Sequence, residues 1–243
     1  EARARLGLDP SRPTLLVAGG SQGAGALNAF AAGLVPGLGV FEGQILALVG
    51  EGKGEELREA CSKEGITHRI LSHCPDMGAA YSVADLALVR GGAATIGELA
   101  LFRLPSAIVP YPHHRDRQQF HNASLLGQGA FVLEEPLAGE DASEVLALFD
   151  SDGRRETMRA ALEDLAPRDG AVKAAGILEE IASEQMGSLR VAKVNVDEAP
   201  DLARRFEVMS IPTLILFDGG LPAKRLVGAK GKPQLLEELA GYL

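Results

Sequence analysis

Apolar and polar positions along the first 165 residues fall into two alternating patterns. Six short runs are almost continuously apolar: "PTLLVAG" from Pro13, "QILALVG" from Gln44, "HRILSH" from His68, "ADLALVR" from Ala84, "PSAIVPY" from Pro105 and "AFVLEE" from Ala130. Between them, apolar residues return every three to four positions. Runs that are apolar on both faces predict buried parallel strands, and the longer period predicts helices near 24–35, 53–64, 76–82, 94–102, 117–128, 140–150 and 153–165. Strands that alternate with helices predict an α/β fold with a Rossmann-like, doubly wound parallel sheet. The stretch "DGAVKAAGILEEIASE" keeps helical spacing and closes a first domain, 1–185.

The remaining residues, 188–243, read as a smaller α/β unit. "LRVAKVNVD" predicts a strand, and "APDLARRFEV" a helix opened by Pro200. "IPTLILFD" and "AKRLVGA" predict a hairpin around "GGLP", and "PQLLEELAGYL" predicts a last helix. The internal "SEQMGS", together with an opening "EARARLGLDP" that lacks methionine, suggests a chimera made of two joined pieces.

Thirty-three acidic residues against 24 basic ones give a net charge of −9, which repels a phosphate backbone and argues against a nucleic-acid partner. The chain shows neither a leader pattern nor an apolar run near the roughly 20 residues that span a bilayer, so a cytoplasmic location is expected. Cys61 and Cys74 have no Cys-x-x-Cys or zinc spacing, so neither a metal site nor a cofactor is expected.

Three polar loops then stand out at the carboxyl ends of predicted strands. In "GGSQGAG", Gly19, Gly20, Ser21, Gln22 and Gly23 precede a helix, where bare backbone N–H groups favour an anion; a tight turn with Ser21 as helix cap fits as well. In "VRGGAATIGELA", Ala93, Ala94 and Thr95 open a helix, and Glu98 lies on the same side as Thr95. That spacing serves equally an acceptor for a ribose diol and a Thr-x-x-Glu capping box. In "VPYPHHRDRQQFHN", Gln118, Gln119 and Asn122 supply amides that both donate and accept, as sugar hydroxyls require; a solvated polar loop is the alternative.

Together "GGSQGAGALN", "DMGAAYSVADLALVRGGAATIGELA" and "VPYPHHRDRQQFHNASLLGQGA" resemble the donor-binding half of the MurG family over residues 1–184. The resemblance implies a GT-B glycosyltransferase domain that binds UDP-N-acetylglucosamine for transfer to lipid-linked muramyl pentapeptide in peptidoglycan synthesis. It places the diphosphate at Gly19–Gly23 with Ser21 as a hydroxyl partner, and Thr95 near the phosphates beside Ala93 and Ala94. Glu98 falls at the ribose, and Gln118, Gln119 and Asn122 at the sugar. His73 and Cys74 fall beside the uracil, where the family usually has an apolar or aromatic residue. Arg90 matches a family arginine, and a structural ion pair explains it equally. The family's acceptor-binding domain has no counterpart here, so the expectation is donor binding without competent transfer unless that domain is supplied as a partner.

The tail from "VAKVNVD" onward resembles the carboxyl-terminal half of thioredoxin. Ile211-Pro212-Thr213 matches the cis-proline segment, while the family's Cys-x-x-Cys is absent, which implies a redox-silent unit. A strand that the resemblance places between "VAKVNVD" and "TLILFD" is absent too, so homodimerisation through an exposed strand edge is expected. A chimeric scaffold with a vestigial nucleotide site is the competing expectation.

Overall fold

The computed structural model describes residues 2–19, 25–113, 117–163, 165, 180, 181, 183, 184, 189–194, 199–208, 213–227 and 231–242. By internal contacts the chain divides into two compact units, Glu1–Pro167 and Arg168–Leu243.

The first unit is built on six strands: β1 (Thr14–Ala18), β2 (Gln44–Leu48), β3 (His68–Leu71), β4 (Leu86–Val89), β5 (Ser106–Ile108) and β6 (Ala130–Val132). They form one sheet in the order β3-β2-β1-β4-β5-β6, and every pairing is parallel. Before, between and after them run α1 (Ala2–Arg5), α2 (Gly25–Val40), α3 (Glu55–Lys63), α4 (Met77–Val83), α5 (Ala93–Phe102), α6 (Gln118–Ser124), α7 (Gly139–Asp150) and α8 (Asp152–Leu162).

The period of two along each strand divides the core between the faces of the sheet. Leu15, Val17, Ile45, Leu86 and Leu88 pack with Leu27, Leu34 and Leu38 of α2, Leu57 and Cys61 of α3, and Val145, Leu148 and Phe149 of α7. The intervening Leu16, Leu46, Ala87 and Val89 pack with Ala80 and Tyr81 of α4, Ile96 and Leu99 of α5, and Leu162 of α8. Both faces are covered, as the continuous apolar runs required.

One helix outruns its sequence reading. Helix α2 continues through Pro36 to Val40 rather than ending at 35, because Leu34, Val35 and Leu38 are buried and that packing outweighs the low helix propensity of Pro36, Gly37 and Gly39. Gly37 is also a contact: a Cβ there would lie 2.4 Å from the Leu146 side chain of α7.

The amino ends of the strands are tied by polar groups that are nearly all satisfied. Buried Gln44 donates through Nε2 to the carbonyls of Asp9 (2.7 Å) and Arg12 (3.0 Å), and its Oε1 accepts from Asp9 N–H at 2.9 Å. Asp85 accepts from the Thr14 backbone N–H (2.7 Å) and pairs with Arg3 (2.8 Å). The buried Arg155 guanidinium donates to the Leu148 and Phe149 carbonyls that end α7.

Burial pushes the Cys61 thiol up from 9.0 to about 11. Between those values the unfolded chain has released a proton that the folded chain keeps, so stability falls as pH rises through that window. The urea midpoint should drop between pH 8.5 and 10.5, and the drop should be shallower in Cys61→Ala. Identical pH slopes for the two proteins would discount Cys61 as the source.

In the second unit, α9 (Pro200–Arg205) starts at the proline, and β7 (Thr213–Asp218) pairs antiparallel with β8 (Leu221–Val227), followed by α10 (Lys232–Leu239). The turn is Gly219-Gly220 alone, at φ 57° and 83°, not the longer "GGLP": two left-handed residues close a two-residue hairpin, and Leu221 already pairs with Asp218. Residues 189–194, read as the start of a strand, carry none, because their alternation finds no ladder partner among the described residues; Leu189 packs instead against Ile181, Leu226 and Leu235. Ile181, from the stretch assigned in sequence to the first domain, thus sits in the second unit's core. Lys232 Nζ reaches Glu180 (2.8 Å) and Glu184 (2.9 Å).

Candidate functional site

In a parallel sheet all strands end on the same edge. The chain leaves β1 toward β2 and β3 on one side, and leaves β4 toward β5 and β6 on the other, so β1 and β4 flank the switch point where such sheets open a crevice. Their pairing holds to the last residue, Ala18 opposite Val89, and the Arg90 N–H still donates to the Ala18 carbonyl at 3.4 Å. Gly19 follows β1 at this point. Gly20, Ser21, Gln22 and Gly23 lie outside the described residues, as does Pro212 in the second unit.

After β4, Gly91 and Gly92 lead into α5. Gly92 is the helix cap, with extended φ and ψ of −67° and 144°. Ala93, Ala94 and Thr95 therefore fill the first turn, where N–H groups lack helical partners, and Glu98 stands a turn further on. The Thr-x-x-Glu capping box does not form, because the helix begins two residues ahead of Thr95. Glu98 Oε2 instead accepts from the Tyr81 phenol of α4 at 2.7 Å. Tyr81 is 3% exposed. Burial, then the bond to Glu98 and its charge, hold the phenol well above its ordinary pKa, so it remains a donor.

The amides after β5 reach back to the β4 loop. Gln119 Oε1 accepts from both the Gly91 N–H (3.2 Å) and the Tyr111 N–H (2.9 Å), and Asn122 Nδ2 donates to the Gly91 carbonyl at 3.0 Å. A Cβ on Gly91 would lie 2.3 Å from the Gln119 carbonyl oxygen, so glycine is required for this approach. Gln118 is exposed at the first turn of α6. Arg90 donates to the carbonyls of Val109 (3.0 Å) and Pro110 (3.3 Å), pairs with Glu135 at 2.6 Å, and stacks near the Tyr111 ring, which makes it a structural tie.

His73 and Cys74 follow β3, two strand spacings or roughly 10 Å from β1. His73 is exposed. Cys74 is buried in the core, with its thiol against the Asp76 carbonyl at 3.2 Å. A polar cleft of about 510 Å³ opens at the ends of β2 and β3, between the Gly50–Lys53 turn and Ser72. Among the described residues no group of three or more His, Cys, Asp or Glu could hold a metal, and no helix is long and apolar enough to cross a membrane.

The structure thus brings Gly91, Gln119 and Asn122 into direct contact, and sets the Glu98 carboxylate on the Tyr81 phenol. Sequence reasoning missed Tyr81 and Tyr111; the one available signal for Tyr81 was a tyrosine among the small residues of "DMGAAYSVADL".

Comparison with known proteins agrees with this architecture. The thioredoxin family model matches residues 171–241. A stretch of 66 residues is 62% identical to a bifunctional thioredoxin reductase/thioredoxin of Mycobacterium leprae, covering 27% of this chain and 14% of that protein. The UDP-N-acetylglucosamine–N-acetylmuramyl-(pentapeptide) pyrophosphoryl-undecaprenol N-acetylglucosamine transferase of Aquifex aeolicus is 40% identical over 58% of this chain and 40% of its own length. The Sodalis glossinidius enzyme of the same name is 37% identical over 78% and 51%. The chain thus spans about half the length of these transferases or less. Among solved structures, Acinetobacter baumannii MurG superposes with a TM-score of 0.58 at 27% identity, over 64% of this chain and 48% of that one. The calicheamicin glycosyltransferase CalG4, at 17% identity and a TM-score of 0.53, shares the fold. The glycosyltransferase family 28 C-terminal domain model matches residues 14–164, more than half of the 243 residues, and the chain belongs to that family.

Proposed function

We propose that the first unit binds UDP-N-acetylglucosamine at the carboxyl edge of its sheet, as the donor side of a glycosyl transfer. The observation that carries this reading is the contact between the β4 loop and the amides that follow β5, beside the end of β1 at the β1–β4 switch point, in a chain related to transferases named for that donor. The diphosphate would lie over Gly19–Gly23 and the amino end of α5, and the first-turn N–H groups and dipole of α5 would offset both the bound charge and the charge that develops as UDP departs. Glu98 would accept from the ribose hydroxyls. Gln119 Oε1 and Asn122 Nδ2 are engaged with backbone, so Gln119 Nε2 and Asn122 Oδ1, with Gln118, are the atoms offered to the sugar. Transfer to a lipid-linked acceptor of the kind in the relatives' name is the reaction this donor site would serve.

Isothermal titration with UDP-N-acetylglucosamine, using guanosine and thymidine diphosphates as controls, tests the reading; saturable binding that prefers the uridine ligand is expected. Glu98→Ala should weaken that binding by about 1–3 kcal/mol, the value of a charged hydrogen bond. Equal affinity in variant and parent would remove Glu98 from the site.

For the second unit we infer no thiol–disulfide exchange. Both cysteines of the chain, Cys61 and Cys74, belong to the first unit, so the tail carries no dithiol of its own.

A further inference from the structure

We infer that Tyr81 is a positioning residue for ribose recognition, acting by fixing the Glu98 carboxylate from beneath; the inference rests on the donor-site reading above. Two observations lead there. The Tyr81 hydroxyl donates to Glu98 Oε2 at 2.7 Å, while Oε1 makes no hydrogen bond among the described residues. The tyrosine ring is locked in the core against Phe102, with centroids 5.5 Å apart, so the phenol oxygen has little freedom to follow a wandering carboxylate.

The chemistry follows from the number of lone pairs. A free carboxylate on a helix surface samples several rotamers and must give up that freedom when it accepts from a diol. Here one oxygen is already held by a buried donor that stays protonated at any physiological pH, leaving the other with a defined direction. Ordering is thus completed before the ligand arrives, which is what preorganisation contributes to affinity. Glu98 alone would recognise a ribose; Glu98 on Tyr81 would discriminate a ribose from a sugar without hydroxyls.

The test measures the affinity of uridine diphosphate and of 2′,3′-dideoxyuridine diphosphate for the parent, Tyr81→Phe, Glu98→Gln and the double variant. Tyr81→Phe removes one oxygen and keeps the ring in its core position, and the thermal midpoints of all four proteins accompany the titrations. Expected are a parent preference for the ribose ligand of about tenfold, and a Tyr81→Phe variant that binds uridine diphosphate about 5- to 10-fold more weakly while its affinity for the dideoxy ligand is unchanged. In the Glu98→Gln background, removing the phenol oxygen should add little, since the two residues act as one unit. Full ribose preference in Tyr81→Phe, equal weakening for both ligands, or additive effects in the double variant would each overturn the inference while leaving donor binding intact. A parent that binds neither nucleotide would overturn the donor-site reading, and this inference with it.

Discussion

Gly91→Ala is expected to destabilise the first unit by about 3 kcal/mol, the upper part of the range for overpacking, and to abolish nucleotide binding at temperatures where the parent still binds. The added Cβ would stand 2.3 Å from the Gln119 carbonyl oxygen and 3.0 Å from its carbonyl carbon. Those atoms belong to the backbone of α6, which cannot rotate aside as the tip of a leucine can. Relief therefore requires α6 to move off the β4 loop, and that movement breaks the bonds of Gln119 and Asn122 to Gly91. Urea unfolding and a titration with UDP-N-acetylglucosamine on the same preparation test this. An alanine variant with the parent's midpoint and affinity would show that the two loops are not in the contact described.

The second large effect is expected away from the site. Phe149→Ala should cost about 3–5 kcal/mol, the usual range for emptying a buried aromatic position. The ring is 1% exposed, among the largest fully buried side chains, and its edge closes the space over Gly43, where a Cβ would come within 2.6 Å of it. Gly43 directly precedes β2, so this ring sits near the amino ends of the strands, opposite the candidate site. Chemical denaturation should therefore register the whole loss while nucleotide affinity at 25 °C stays within twofold of the parent, roughly 0.4 kcal/mol. A matching fall in affinity would mean that packing at the amino ends of the strands is coupled to the carboxyl edge.

The strands of the first unit were legible because a strand covered on both faces must be apolar at consecutive positions, and runs as short as "TLLVA" and "LALV" have few other uses. The passage of α2 through Pro36 was not legible: the residues that hold it, such as Leu146, arrive from more than a hundred positions away. In the site, the positions of Thr95 and Glu98 on a helix were readable from spacing alone. The choice between capping box and exposed acceptor was not, since it turned on Gly92 taking the cap and on Tyr81, 17 residues earlier, claiming one carboxylate oxygen. Gln119 and Asn122 were identified as polar and adjacent. That their first partners are backbone groups of Gly91 and Tyr111 depends on how β4 and β5 lie side by side, which no local pattern encodes. In the tail, period-two alternation in residues 189–194 described a surface compatible with a strand, but a strand exists only where another accepts its hydrogen bonds.

One amide oxygen has a consequence for how the crevice can move. Gln119 Oε1 receives N–H bonds from Gly91, two residues past β4, and from Tyr111, three residues past β5. A loop that swings outward alone withdraws its N–H from this oxygen and gives up one hydrogen bond, while the other loop keeps its own. The two loops are therefore stitched at a single atom, and moving either one costs a hydrogen bond. Whatever enters from this side meets a rim whose two loops share one anchor on α6.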